Sequence, residues 1–242
     1  MIKEDKMNIE LDEKPLKPII IEGFPGFGFI GTIATEFLIN HLEAKPIGRI
    51  TSDKIHPIAA IRKTKVIYPL EIFYDKKTNI IIIQTVTPIE GLEWEVAETV
   101  IKLAEELNAK EVISIEGIST NLEVQDPQVF FHSNKLDKIK SIEKMSLKQM
   151  EDGVIIGVTG ALLIKLKKTP FSCFFVETHS NLPDNKGAAK IIEALDRYLG
   201  LTIDYKPLLK KAEEVEGKLK EFLSKLSEVK TEKEKKKLSY MG

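Results

Sequence analysis

Four consecutive isoleucines, Ile80–Ile83, lie between a turn-forming Asn79 and the polar pair Gln84-Thr85. So short a β-branched run is a strand. Side chains alternate across a sheet, so an unbroken apolar run implies burial on both faces. A sheet with two buried faces needs a covering layer on each side. The chain can supply one: Gly91–Leu107 carries Val96, Val100, Leu103, Ala104 and Leu107 at helical spacing, and "EVISIEGI" (Glu111–Ile118) is a second buried strand. Such alternation predicts an α/β fold, a three-layer sandwich with helices on both faces.

The remaining segments extend the pattern. Residues 1–17 read as a polar lead-in, Ile19–Glu22 as a strand, and Gly31–Leu42 as a helix after a glycine turn. From Ile47 to Val86 the runs "IGRI", "IAAIR", "VIYPLEIFYD" and "NIIIIQTV" are separated by Pro57, Pro69 and the Lys76–Asn79 turn. Their close spacing suggests hairpins, so the sheet is expected to be mixed. Further on, Val129–His132 reads as a short strand and "LDKIKSIEKM" as a short helix. "GVIIGVTGALLIKLKK" reads as strand, turn and helix, and "FSCFFVETHS" as the last core strand. Asn185–Leu199 reads as a helix ended by Gly200.

A chain of 242 residues with 43% apolar content can bury a sizeable core and still carry an appendage. No apolar run approaches the ~18–20 residues needed to cross a bilayer, and "MIKEDKMNIELDEK" is too charged for a signal peptide. The lone Cys173 excludes an internal disulfide framework and a cysteine-based zinc cluster. A soluble, cytoplasmic protein is expected. Lysine outnumbers arginine 33 to 3 while Asn and Gln total only 12, the charge style of proteins that work hot.

The clearest periodicity lies in the tail. Leu208, Ala212, Val215, Leu219, Phe222, Leu226 and Val229 step by four and three, three heptads of a and d positions. A helix of roughly 30 residues spans about 45 Å, longer than a small domain needs, so a long C-terminal helix projecting toward another molecule is expected. From Lys206 onward there are 11 lysines against 7 glutamates, a local +4 that leaves −5 on the rest of a chain of net charge −1. Glu alternates with Lys there, which reads as a solvated helix face rather than a nucleic-acid contact. The division expected is a lead-in over 1–17, an α/β domain over 18–203, and an amphipathic helix with charged tail over 204–242.

Two constellations bear on chemistry. Gly26, Gly28 and Gly31 have the G-x-G-x-x-G spacing of a dinucleotide fingerprint, between a strand and a helix. The intervening residues are Phe27, Phe29 and Ile30, greasier than a phosphate cradle. Asp53, the nominal ribose partner, sits in the turn-like "TSDKIHP". A nucleotide site and a purely structural loop both remain readings of the spacing. Several strands also end in polar residues: Glu22, Thr85–Thr87, Glu116 and Glu177-Thr178-His179. Ligands bind at the carboxyl edge of open α/β sheets, so a phosphorylase- or hydrolase-like site using Glu116, Glu177 and His179 is the alternative to a binding protein. No G-x-S-x-G elbow occurs, Cys173 lies in an apolar run, and the four histidines have no metal-type spacing.

The loop "EGFPGFGFIG", the stretch "IIIIQTVTPIEGLEWEVAETVIKLAEELNAKEVISIEGI" and "GVTGALL" before a core strand resemble the PAC2 family, the proteasome assembly chaperones, over about Pro18–Gly200. Size and tail are similar to the archaeal homologues. The resemblance implies a nucleoside-phosphorylase-like fold without evident catalytic machinery, so no enzyme, no cofactor and no metal. It implies homo-oligomers such as a tetramer, and ATP-independent binding to 20S proteasome α subunits or assembly intermediates, with no nucleic acid or membrane partner. It also implies that the loop residues Gly23, Pro25, Gly26, Gly28 and Gly31 are structural. Members that dock on the proteasome end in a hydrophobic residue, tyrosine and one last residue. Here "KKKLSYMG" places Tyr240 third from the end with Ser239 before it and Leu238 one further back, the motif displaced by one. Partner contacts are therefore expected from Leu208, Val215, Leu219, Phe222, Leu226 and Val229, followed by Leu238, Tyr240 and Met241.

Overall fold

The isoleucine run lies inside the sheet it predicts. A computed structural model describes residues 7–62, 64–85, 87–120, 126–178 and 182–205, and within them every residue of Ile80–Thr85 is buried. In chain order the strands are β1 (Asn8–Leu11), β2 (Ile19–Glu22), β3 (Lys45–Thr51), β4 (Ala60–Arg62), β5 (Lys65–Ile67) and β6 (Leu70–Asp75). They continue with β7 (Ile80–Thr85), β8 (Glu111–Ser119), β9 (Val129–Ser133), β10 (Lys148–Gln149) and β11 (Phe171–Thr178). The helices are α1 (Ile30–His41), α2 (Glu93–Glu106), α3 (Leu136–Glu143), α4 (Gly157–Lys165) and α5 (Asn185–Leu199). Among the described residues, no helix is long and apolar enough to cross a membrane.

Among the described residues nine strands form one sheet, in the order β1-β3-β6-β7-β2-β8-β11-β9-β10. Its centre, β7, β2, β8 and β11, is parallel. Towards one edge β6, β3 and β1 add antiparallel neighbours, and towards the other β9 runs antiparallel to β11. The sheet is therefore mixed, for the reason the short runs suggested. β6 turns into β7 within four residues: Asp75 accepts hydrogen bonds from the amide and hydroxyl of Thr78, and Asn79 adopts φ 57°.

The two faces are covered by different helices. On one, Ile20, Ile81, Ile83, Val112, Cys173 and Phe175 pack against Val96, Val100 and Leu103 of α2 and Val158 and Leu162 of α4. The alternate residues Ile21, Ile80, Ile82, Ile113 and Phe174 are equally buried on the other, where α1 packs on α5 and Phe174 meets Tyr198 with ring centroids 5.4 Å apart. Each such aliphatic side chain contributes about 1.5–3 kcal/mol relative to exposure.

Two expectations are corrected. The polar lead-in contains β1, which pairs antiparallel with β3 and places Met7 in the core, while Arg49 bonds Glu10 across the pair at 2.6 Å. The strand read at the start of "GVIIGVTGALL" is not one. Pairing beside β9 occurs earlier, at Lys148–Gln149, and Val154 and Ile156 are 90% and 64% exposed. The partner-binding residues expected in the tail, Leu208 through Met241, and His179 lie outside the described residues.

Candidate functional site

Two buried carboxylates, one at the amino end of β8 and one at the carboxyl end of β2, differ in one respect that locates the site. Glu111, at the amino end, is fully engaged: it accepts hydrogen bonds from Ser172 Oγ at 2.6 Å and from the Tyr198 hydroxyl at 2.8 Å, and it pairs with Lys138. That carboxylate staples α3 and α5 to the sheet. Burial, then the neighbouring Glu111 charge, pushes the Tyr198 phenol far up. At the carboxyl end, Glu22 is 0% exposed, and neither carboxyl oxygen has a partner at hydrogen-bonding distance. A buried polar group left unpaired costs roughly 1–3 kcal/mol, and such exceptions ask for an explanation.

Strand register builds the surroundings. Glu22 on β2 lies beside Ser114 on β8, which lies beside Cys173 on β11, and Glu116 follows one pleat later on β8. Thr159, in the first turn of α4, closes over the row: its hydroxyl is 2.7 Å from Ser114 Oγ and donates to Glu116 Oε2 at 3.3 Å. Burial pushes the Glu22 carboxyl up to about 7. Burial, and then the charge of Glu22, pushes Glu116 up to about 8. A charge on Glu22 disfavours one on Glu116, so both carboxyls are biased toward their protonated forms. The Cys173 thiol is pushed well up by the same burial, the state of an inert core thiol.

The glycine loop forms the roof. A Cβ on Gly26 would fall 2.0 Å from Glu116 Oε1, and one on Gly28, whose φ is +63°, 2.7 Å from Thr178 Oγ1. Gly23 and Gly31 cross backbone to backbone, each occupying the volume where the other's Cβ would lie, and Gly31 also abuts the Ile115 carbonyl. The close approach the glycines permit is thus to the sheet beneath, not to an open cleft. Phe24 turns into the core, while Pro25, Phe27 and Phe29 are half-buried. β3, which follows α1, is antiparallel to its sheet neighbours, and Asp53 sits in a turn. The parallel second strand of a dinucleotide fold is not built here.

Of the three residues in the enzyme alternative, Glu116 belongs to this cluster, whereas Glu177 accepts the amide of Gln128 at 3.1 Å ahead of β9. The sequence reading treated Glu22 as one strand end among several. No group of three or more His, Cys, Asp or Glu side chains suited to a metal forms among the described residues. A separate groove of about 190 Å³ opens between β9 and α4, lined by His132, Met150, Ile155, Leu163 and Phe175. Beside this stretch Val154, Ile156 and Ile164 are exposed, an apolar grouping of the kind that marks interaction.

The sequence profile of the PAC2 family matches residues 20–223. The chain belongs to the PAC2 family. An uncharacterized protein of Methanocaldococcus jannaschii is 33% identical over 223 residues, covering 90% of this chain and 88% of its own length. Among solved structures, Pyrococcus furiosus PbaA, an archaeal homolog of proteasome-assembly chaperone, superposes with a TM-score of 0.84 at 29% identity, covering 93% of this chain and 99% of its own. Pyrococcus furiosus PbaB, an archaeal proteasome activator, gives 0.74 at 27% identity, covering 90% and 98%. The mixed-sheet α/β architecture is thus that of the archaeal PAC2 proteins.

Proposed function

We propose that this PAC2 protein is an ATP-independent chaperone that assists assembly of the 20S proteasome by binding α subunits or assembly intermediates. The observation that carries the reading is the similarity to PbaA over nearly the whole chain. The similarity to PbaB, a proteasome activator by its description, supports proteasome partners in a second way. The glycine loop supports it too, since its close approach is spent on seating the loop and not on a phosphate.

In this reading the body is the α/β domain over 18–203, and the segment over 204–242 is the recognition element. Leu208, Val215, Leu219, Phe222, Leu226 and Val229 form one apolar stripe, and an amphipathic helix laid in a groove is a recurrent recognition mode. The lysines beyond it add loose attraction to acidic surfaces, and Leu238, Tyr240 and Met241 a terminal contact. The body self-associates into a cytoplasmic homo-oligomer. Pull-down by purified 20S α subunits tests this: the full chain is retained and a chain ending at Tyr205 is not. Equal retention of both rejects the tail's role, and retention of neither rejects the chaperone reading.

One observation favours a second reading, the carboxyls of Glu22 and Glu116, pushed up by burial at the sheet's carboxyl edge, where an enzyme would bind its substrate. A thermal-shift series with nucleosides, phosphate and dinucleotides separates the two, because a ligand of the folded state raises Tm. A nucleoside-specific rise lost in Glu116→Gln would support the enzyme.

A further inference from the structure

The β4–β5 hairpin stands apart from the main sheet. Among the described residues its strands pair only with each other, in the register Ile61↔Val66. An isolated two-stranded hairpin is marginal in water, and this one turns apolar side chains outward: Ile61 is 78% exposed and Val66, directly opposite, 51%. Paired aliphatics on an exposed ribbon form a surface that gains stability when covered. The charge of the segment that carries it is one-sided. Between Asp53 and Glu71 the chain has no acidic residue but carries Lys54, Arg62, Lys63 and Lys65.

The complementary surface lies on the same chain, at the start of α2. Trp94 is 47% exposed, one side of its ring covered by Lys165 at 5.0 Å, and it is flanked in sequence by Glu90, Glu93 and Glu95. The two surfaces are neighbours, since Lys54, ahead of β4, pairs with Glu95 of α2 at 3.4 Å. Adjacent complementary patches on one face can satisfy each other reciprocally across a two-fold axis, which closes the assembly at two copies of that contact. A hairpin-to-hairpin contact would set two basic ribbons against each other.

We propose that the β4–β5 hairpin of one copy docks on the Trp94 face of a second copy, and reciprocally. The inference rests on the self-association proposed above and assigns its surface. Ile61 and Val66 are the apolar anchors, Trp94 the aromatic they cover, and the surrounding charges set partner and orientation, so the contact weakens as salt rises.

Sedimentation velocity on the full chain tests it, with circular dichroism to verify that each variant is folded; Ile61 and Trp94 are exposed, so their replacement leaves the core intact. Ile61→Asp and Trp94→Ala should each weaken self-association about tenfold or more. An equimolar mixture of the two variants should recover part of it, because the mixed pair keeps one intact hairpin–Trp94 contact. A wild-type monomer overturns self-association altogether. A wild-type oligomer that Ile61→Asp leaves unchanged overturns this surface alone, and weakened variants that gain nothing on mixing overturn the pairing of hairpin with Trp94.

Discussion

Glu22 and Glu116 tie the glycine loop to a proton. Both carboxyls sit above their ordinary range in the folded body, at about 7 and about 8, because burial disfavours their charge. The neutral forms are the ones the fold accommodates. Their contribution is therefore fully present below about pH 4.5, where an unfolded glutamate is also protonated, and is lost as pH rises through 7 to 8. A shift of that size at Glu22 corresponds to about 3 kcal/mol. Glu22→Gln, which keeps the shape and removes the ionisation, should flatten the fall of Tm between pH 5 and pH 9 and raise Tm at pH 8; an unchanged pH profile contradicts the assignment. Gly31→Ala should cost about 3 kcal/mol by overpacking against the Ile115 carbonyl and Gly23, read as a lowered urea midpoint. Little of this was legible beforehand. The spacing of Gly26, Gly28 and Gly31 is the same whether a loop approaches a pyrophosphate or a strand, and only the register of β2 against β8 puts Glu22 and Glu116 together.

Elements were easier to read than their pairing. Ile19–Glu22 and Asn185–Leu199 are where the pattern put them, because a buried apolar run and an apolar stripe with a terminal glycine are local signals. Edge strands are not. In "MNIEL" the alternation that makes β1 is present, but flanking charges drown it. The apolar "GVII" before α4 looks like a strand, yet the short place beside β9 is taken by Lys148–Gln149, leaving Val154 and Ile156 exposed. Long-range pairing decides such cases, and composition within a window does not carry it. The tail is the element on which binding is proposed to depend. Leu219→Asp and Phe222→Asp should each reduce α-subunit binding by more than tenfold, while the Tm of the body moves by no more than about 2 °C. A variant that unfolds the whole chain would assign the stripe to the core instead.

At the scale of the molecule, a parallel centre buried on both faces supplies the platform, and exposed apolar side chains lie at its periphery, among them those of β4–β5 and around α4. Removal of Lys206–Gly242 should leave a folded body that still self-associates, checked by sedimentation and circular dichroism, because residues 7–205 bury an extensive apolar core of their own. The claim on which the account turns is assistance to proteasome assembly. The most direct measurement is native mass spectrometry of 20S particles formed from mixed α and β subunits without ATP, with and without this chain. The account predicts faster or more complete assembly with the full chain and none of that gain with the chain ending at Tyr205. Assembly that proceeds identically in its presence and absence would contradict it.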